Sequence, residues 1–479
     1  MINLIKNELN KVFKKKTIYI MLVIFIVFAL FNVIVQKYSA GRYGDYVTEE
    51  YEVYKAQIER LDPNNAERLD TYIDVKASMD FYEIVLQYEA GTWRRAYVAS
   101  EKSGVRQIVM DMTRARYLSR DEEKYDESKS RLDKLLADIN VRDWDYIMRA
   151  DLEQKKESLA GLQASSASAK LEIANAQVEI DALEMRLKYN IPYGDDSKKD
   201  YRAFAINDYI SYEQALNFYT YGESGENANE RELAKRTFVN QSAKARYIVE
   251  TGDNLNEQSL RTIVADGDFM LLIILLIVMV AGVIVCDEFN KGTIKLLLIR
   301  PHSRAKILLS KYVASLIMIV VSAAMVYAIH IIIGGIFYGF GSLNMPVVNW
   351  NFADNSLSVM HPIAYLLLKL WVVLPKLILV TTIAFTLSAL FNNGTVATLL
   401  ALLASIGEPI VELVMNRYDL DFMRYFITTN WDFSSYLFGG QSSIEGMTMG
   451  VSLAICAAYL LVMMIVALWR FQCEDIKNI

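Results

Sequence analysis

Thr17 to Val35 runs without a single charged side chain. A hydrocarbon core of roughly 30 Å is spanned by about 20 such residues in a helix, so this run predicts a transmembrane helix. A secretory signal would have a shorter apolar core and a small-residue cleavage site, which Tyr38-Ser39-Ala40 is not, and the span is expected to be retained. Five more apolar runs follow at Phe269–Val285, Val313–Tyr338, Ile363–Phe391, Val396–Val414 and Met447–Trp469. The fourth run of the six contains Lys369, Pro375 and Lys376, and the fifth contains Glu408, Pro409 and Glu412. Neither is expected to be a plain lipid-facing helix.

Between the first and second runs the chemistry changes. The whole chain is 53% apolar and 22% charged, and the charge concentrates between Lys37 and Gly267, an acidic stretch rich in Tyr, Arg and Glu. Net charge is −6, with no basic domain and no arginine-rich motif, which excludes the electrostatic footprint of nucleic-acid binding. Cys286, Cys456 and Cys473 all lie outside the polar insert, so a hydrophobic core and no disulfide has to hold it.

Lys and Arg in short flanks favour the cytoplasmic side. Lys6, Lys11, Lys14, Lys15 and Lys16 precede the first span, and Lys291, Lys295, Arg300, Arg304, Lys306 and Lys311 cluster between the second and third. With six spans both clusters share a side. The termini and the Asn392-Asn393-Gly394 turn are then expected in the cytoplasm and residues 37–267 outside. Within residues 1–16, Ile5, Leu9, Val12 and Phe13 share one helical stripe with lysines elsewhere, the pattern of an amphipathic helix in the inner interface; a disordered charged leader is the alternative.

In the insert, Leu152, Leu159, Leu162, Ala169, Ile173, Ala176, Ile180, Leu183 and Leu187 recur in three- and four-residue steps, with Ser166 at one core position. That is a heptad seam. Leu132, Leu135, Leu136 and Ile139 are its expected partner in a coiled-coil hairpin over about 122–190, with intermolecular pairing as the alternative. The tyrosines Tyr38, Tyr43, Tyr46, Tyr51 and Tyr54 suit either packing and headgroup contact or a ligand surface.

The second span ends in Cys286-Asp287-Glu288-Phe289-Asn290-Lys291-Gly292-Thr293-Ile294-Lys295-Leu296-Leu297-Leu298-Ile299-Arg300-Pro301-His302-Ser303-Arg304, continuing to Lys311. Gly292 permits a sharp turn, Thr293 can cap a short helix with an apolar face, and Pro301 stops it. Such a helix can seat in a partner's groove and pass rigid-body motion to the membrane; a basic loop held by lipid headgroups is the alternative. The segment resembles the signature of ABC-2 family permeases, with Glu288, Gly292, Thr293, Leu297, Pro301, Ser303, Arg304 and Lys311 at the matching positions. The resemblance takes in the N-terminal helix, the spans and this loop, and the insert points to the branch with a large outer domain. It implies an exporter subunit of the bacterial cytoplasmic membrane. ATPase coupling would occur through the loop at 287–311, with ATP and Mg held by separate ABC ATPase subunits and a second permease copy or paralogue completing the dimer. Membrane lipids would surround it, and an amphipathic or hydrophobic cargo, a peptide antibiotic or a lipid-like molecule, would be moved.

The chemistry that is missing agrees with a passive subunit. No Gly-x-x-x-x-Gly-Lys-Ser/Thr phosphate loop occurs. His302, His330 and His361 are far apart without metal-ligand company, and no nucleophile elbow or carboxylate pair stands out, so no catalytic residue, cofactor or metal is expected. Counted from the Asn392-Asn393 turn, Lys376 and Glu408 each lie about sixteen residues away, at similar depth. They are expected to pair, either as a structural contact or along a translocation path, or else to reach water separately.

The sum is an all-α membrane protein: an interfacial helix at 1–16, a first span at 17–36, a mainly helical outer domain at 37–267, and spans two to six at 268–479. A membrane sensor or scaffold, whose outer coiled coil binds an envelope partner, is the rival reading.

Overall fold

The computed structural model describes all residues except 41–44, 166–168, 195–200, 224, 226–227, 291–302, 392, 419, 443, 445 and 474–479. The chain divides into two units, residues 1–38 with 257–479, and residues 39–256. The first unit opens with α1 (Ile2–Phe13) and α2 (Lys16–Ala40). Helix α2 buries Ile18, Met21, Phe25, Ala29 and Val33 and exposes Ile20, Val23, Val27, Phe31 and Ile34. Both faces are apolar. A helix in water would place charge on its outer face, so this one is built for a nonpolar solvent.

The polar unit is a set of helices, α3 (Tyr46–Ile58), α4 (Leu69–Val85), α5 (Trp93–Ala99), α6 (Val105–Arg114), α7 (Glu122–Val141), α8 (Trp144–Ser165), α9 (Lys170–Tyr189), α10 (Tyr201–Tyr221) and α11 (Ala228–Thr251). The seam at 152–187 is not one long helix. Its first part lies on α8 and its second on α9, which pack against each other with Lys155–Glu179 and Lys156–Glu184 ion pairs across them. Leu132 and Ile139 of α7 instead join Phe81, Val85, Val98 and Val105 in a separate core. A heptad phase that continues across a connection reads as a single helix, which is why the pattern misplaced the turn. Ser166 lies outside the described residues.

Tyr51 and Tyr54 pack on the Phe81 core, and Tyr54 stacks on Tyr82 at 5.8 Å between centroids, while Tyr46 is exposed. Arg186 is buried, and among the described residues no carboxylate bonds to it. It donates to the carbonyl of Pro192 at 2.8 Å and to Asn207 Oδ1 at 3.0 Å, with Tyr193 5.1 Å from its guanidinium, and burial pulls its pKa down to about 10.

The chain re-enters the first unit ahead of the expected boundary at 267. Helix α12 (Leu260–Ala265) buries Leu260, Ile263 and Val264 in the apolar core. Then come α13 (Met270–Ile284), α14 (Cys286–Asn290), α15 (Arg304–Tyr338), a hairpin of β1 (Val347–Asn351) and β2 (Ser356–Met360), α16 (Pro362–Leu390), α17 (Gly394–Ile406), α18 (Glu408–Tyr418) and α19 (Met449–Cys473). The strands pair antiparallel, with Asn349 opposite Ser358.

Among the described residues four helices, α2, α15, α16 and α19, are long and apolar enough to cross a membrane. The second and fifth expected spans are shorter apolar helices of 15 and 13 residues. At about 1.5 Å per residue, α17 reaches about 20 Å, so the expected continuous span over 396–414 ends at Gly407, where α18 begins a new segment. Helix α15 starts at Arg304, nine residues earlier than the apolar run suggests, which turns Arg304, Lys306 and Lys311 from loop residues into helix residues. The small residues Gly282 and Gly394 sit where α13 meets α17; a Cβ on Gly282 would lie 2.5 Å from Thr398 Oγ1.

Candidate functional site

Among the described residues, two polar sites interrupt this apolar unit. The first begins where α13 stops. The break after Ile284 leaves amides and carbonyls without helical partners. Ser388 of α16 takes up two amides, its Oγ accepting from Val285 N at 3.3 Å and Cys286 N at 3.2 Å. The single turn of α14 then presents Asp287 and Glu288 side by side.

Lys311, eight residues into α15, is fully buried. Its ammonium has three N–H donors, and three acceptors meet them: Glu8 Oε2 at 2.7 Å, Glu288 Oε1 at 3.1 Å and the carbonyl of Ile284 at 3.2 Å. Lys11 closes the cluster, donating to Glu288 Oε1 at 2.7 Å and Glu8 Oε1 at 3.1 Å. Among the described residues, two ammoniums thus face two carboxylates. Burial opposes the charge on Lys11, but the hydrogen bond and charges of Glu288 and Glu8 outweigh it and raise its pKa. Lys15 adds a pair with Asp287 at 2.7 Å. The result ties α1, α14 and α15 together by charge.

Of the residues at the matching positions in the loop, Glu288 and Lys311 are brought together, and Ser303 and Arg304 stand at the start of α15. Ser303 caps the helix, its Oγ accepting from Lys306 N at 3.3 Å, and Arg304 donates to the Gln472 carbonyl of α19 at 2.9 Å. Gly292, Thr293, Leu297 and Pro301 lie outside the described residues. Sequence reasoning missed Glu8. The buried line of α1 is Leu4, Glu8 and Val12, and Phe13, expected on the apolar stripe, is 41% exposed. Glu8 can take a buried position because two lysines neutralise it there. The signal available was an acidic residue on the stripe side of a lysine-rich helix.

The second site lies where α17 breaks. Lys376, one residue after Pro375 in α16, donates to Glu408 Oε2 at 2.5 Å and lies 3.9 Å from Asp432 Oδ2. The buried indole of Trp431 is 5.6 Å from the Lys376 ammonium. Asp432 and Trp431 come from a segment outside the long helices, whose Trp431 and Phe433 are packed in the core. Lys369, the other cation of α16, donates to the carbonyl of Gly267 at 3.3 Å, beyond the end of α12. His330 is buried with Nδ1 2.8 Å from the Val326 carbonyl and its ring stacked on Phe269, and His361 caps α16 through Ile363 N. His302 lies outside the described residues.

Residues 233–477 match the family described as "Protein of unknown function (DUF2705)". Two proteins of Bacillus subtilis (strain 168) are similar. The uncharacterized protein YhcI is 30% identical over 213 residues, 44% of this chain and 67% of its own length. The uncharacterized membrane protein YdbK is 24% identical over 202 residues, 42% of this chain and 77% of its own. No solved structure matches. With four apolar helices of membrane-crossing length among the described residues, the likeness to YdbK, named a membrane protein, points to a membrane location.

Proposed function

This chain belongs to the DUF2705 family, and from that premise we propose that it is the permease subunit of an ABC-2 type exporter, driven by ATPase subunits on separate chains. The observation that carries the reading is the cluster of Glu8, Lys11, Glu288 and Lys311. It fastens α14 and α15, on either side of residues 291–302, and the helix α1 into one body. A force applied to that loop is then passed to α13 and α15 together and not dissipated in a flexible link. Residues 292–303 carry the ABC-2-like pattern of Gly292, Thr293, Leu297, Pro301 and Ser303.

In this reading six segments traverse the bilayer, with the short helices α13 and α17 extended by α14 and α18. The lysine-rich segments face the cytoplasm, and residues 37–267 face outward. Two permeases, identical or paralogous, assemble with two ATPases that hold ATP and Mg. ATP binding moves the loop, and an amphipathic cargo, a peptide antibiotic or a lipid-like molecule, leaves the membrane outward.

The test is purification of the tagged chain from native membranes in mild detergent. The expected result is a co-purifying subunit with a phosphate-loop ATPase whose hydrolysis rises when an amphipathic cargo is added. Recovery of an envelope protein with no ATPase would overturn the reading in favour of a sensor or scaffold.

A further inference from the structure

The pair Lys376 and Glu408 opens on a cavity of about 280 Å³, with Asp432 and the hydroxyls of Thr428, Ser434 and Ser452 among its lining. Backbone outside regular helices is tolerated at membrane depth only where protein buries it or where it borders an aqueous cavity, and the 428–442 part of the lining is of that kind. The cavity stands where two such irregularities meet: the α17–α18 break and the Trp431 segment.

Its charge is unbalanced. One ammonium faces two carboxylates among the described lining residues, and Lys376 is held closest to Glu408. Asp432 is the less closely engaged of the two carboxylates, its side chain 41% exposed and its Oδ1 accepting from the Ser434 amide at 2.8 Å and hydroxyl at 2.5 Å. The surroundings supply acceptors. Thr428 Oγ1 is buried with no hydrogen-bond partner in the structure, and hydroxyl oxygens have lone pairs to offer. An anion would meet two carboxylates and a lysine already engaged. A primary ammonium, with three donors and no acceptor, complements the site in both charge and hydrogen bonding.

Size narrows the ligand further. The volume lies just below the range of about 300–1,000 Å³ typical of small-molecule pockets, enough for a headgroup and not for a whole lipid or peptide. Helix α18 starts at Glu408 and exposes Ile410 and Leu413, an apolar surface on which a tail can lie.

We propose that this cavity binds the primary ammonium group of an amphipathic ligand, with Asp432 as its counter-ion and the tail along α18. Only the identification of that ligand as cargo rests on the exporter reading. The group has two sources, an aminophospholipid of the bilayer or a non-lipid amphipathic amine.

The full chain in a neutral maltoside detergent, without ATPase or ATP, is titrated with dodecylamine at pH 7 and followed by calorimetry and thermal unfolding. Saturable binding is expected, weakened about tenfold or more by Asp432→Asn and less by Thr428→Val. Dodecyltrimethylammonium, which cannot donate a hydrogen bond, and dodecanol, which has no charge, are expected to bind at least tenfold more weakly. Competition by phosphatidylethanolamine and not phosphatidylcholine supports the lipid source; no competition with dodecylamine still bound supports the non-lipid amine. Equal binding by wild type and folded Asp432→Asn, or equal binding of the trimethylammonium compound, overturns the proposal. Either result is independent of whether an ATPase associates.

Discussion

A lysine with no exposure to solvent is stable only if its charge is answered on all sides, and Lys311 answers to two carboxylates and a carbonyl. Lys311→Met removes one of the two ammoniums that face Glu8 and Glu288 among the described residues. The expected cost is about 3–5 kcal/mol, seen as a lower midpoint of thermal unfolding in detergent. Adding Glu8→Gln removes the carboxylate that Lys311 had answered and recovers part of the loss; no recovery would show that Glu8 and Lys311 are not coupled. In the polar unit, Arg95 donates to both oxygens of Asp45. Partial burial would raise the Asp45 pKa, but the Arg95 contacts outweigh it and hold the carboxyl below its usual value. The pair therefore stabilises above the unfolded carboxyl pKa of about 3.9, and that stability is lost as pH falls through the lower folded value. Asp45→Asn is expected to lower the unfolding midpoint at pH 6, with the difference from wild type vanishing as the pH drops below that folded value. Lys311 and Glu288 were legible as residues because they flank a motif. Glu8 was not, because a Glu three residues before a Lys on a helix reads as a surface pair, and the lysine that buries it is 303 residues away.

At the scale of elements, apolar runs marked where the long helices lie, since unbroken hydrophobicity is visible one residue at a time. Breaks were less visible. Gly407 ends α17 and Val285 separates α13 from α14, and each break is stabilised by groups distant in sequence, Ser388 at one and the Lys376–Glu408 pair at the other. The division between α8 and α9 stayed hidden for a different reason: both arms keep a heptad phase, and pairing is a tertiary fact. Close approach makes a further expectation. Gly282→Val drives a branched side chain into Thr398 of α17 and should cost about 1–3 kcal/mol. Gly161→Ala, on an open face of α8, should stabilise by about 0.5–1 kcal/mol. Equal unfolding midpoints for these two variants would contradict the packing described for α13 and α17.

For the whole molecule, segregation of charge from apolar sequence revealed two solvents and hence two units. The boundary near 256 was not legible, because six apolar-rich residues at Leu260–Ala265 are too few to announce which core they join. In the proposed reading, function depends on residues 291–302, between Glu288 and Lys311 of the first site, and on what touches them. A photocrosslinking amino acid at position 297, introduced into the full chain in native membranes, tests this most directly. The proposed exporter requires a crosslink to an ATP-hydrolysing subunit on the cytoplasmic face. Labelling of position 297 by a membrane-impermeant reagent from outside intact cells, with no such crosslink, would contradict it.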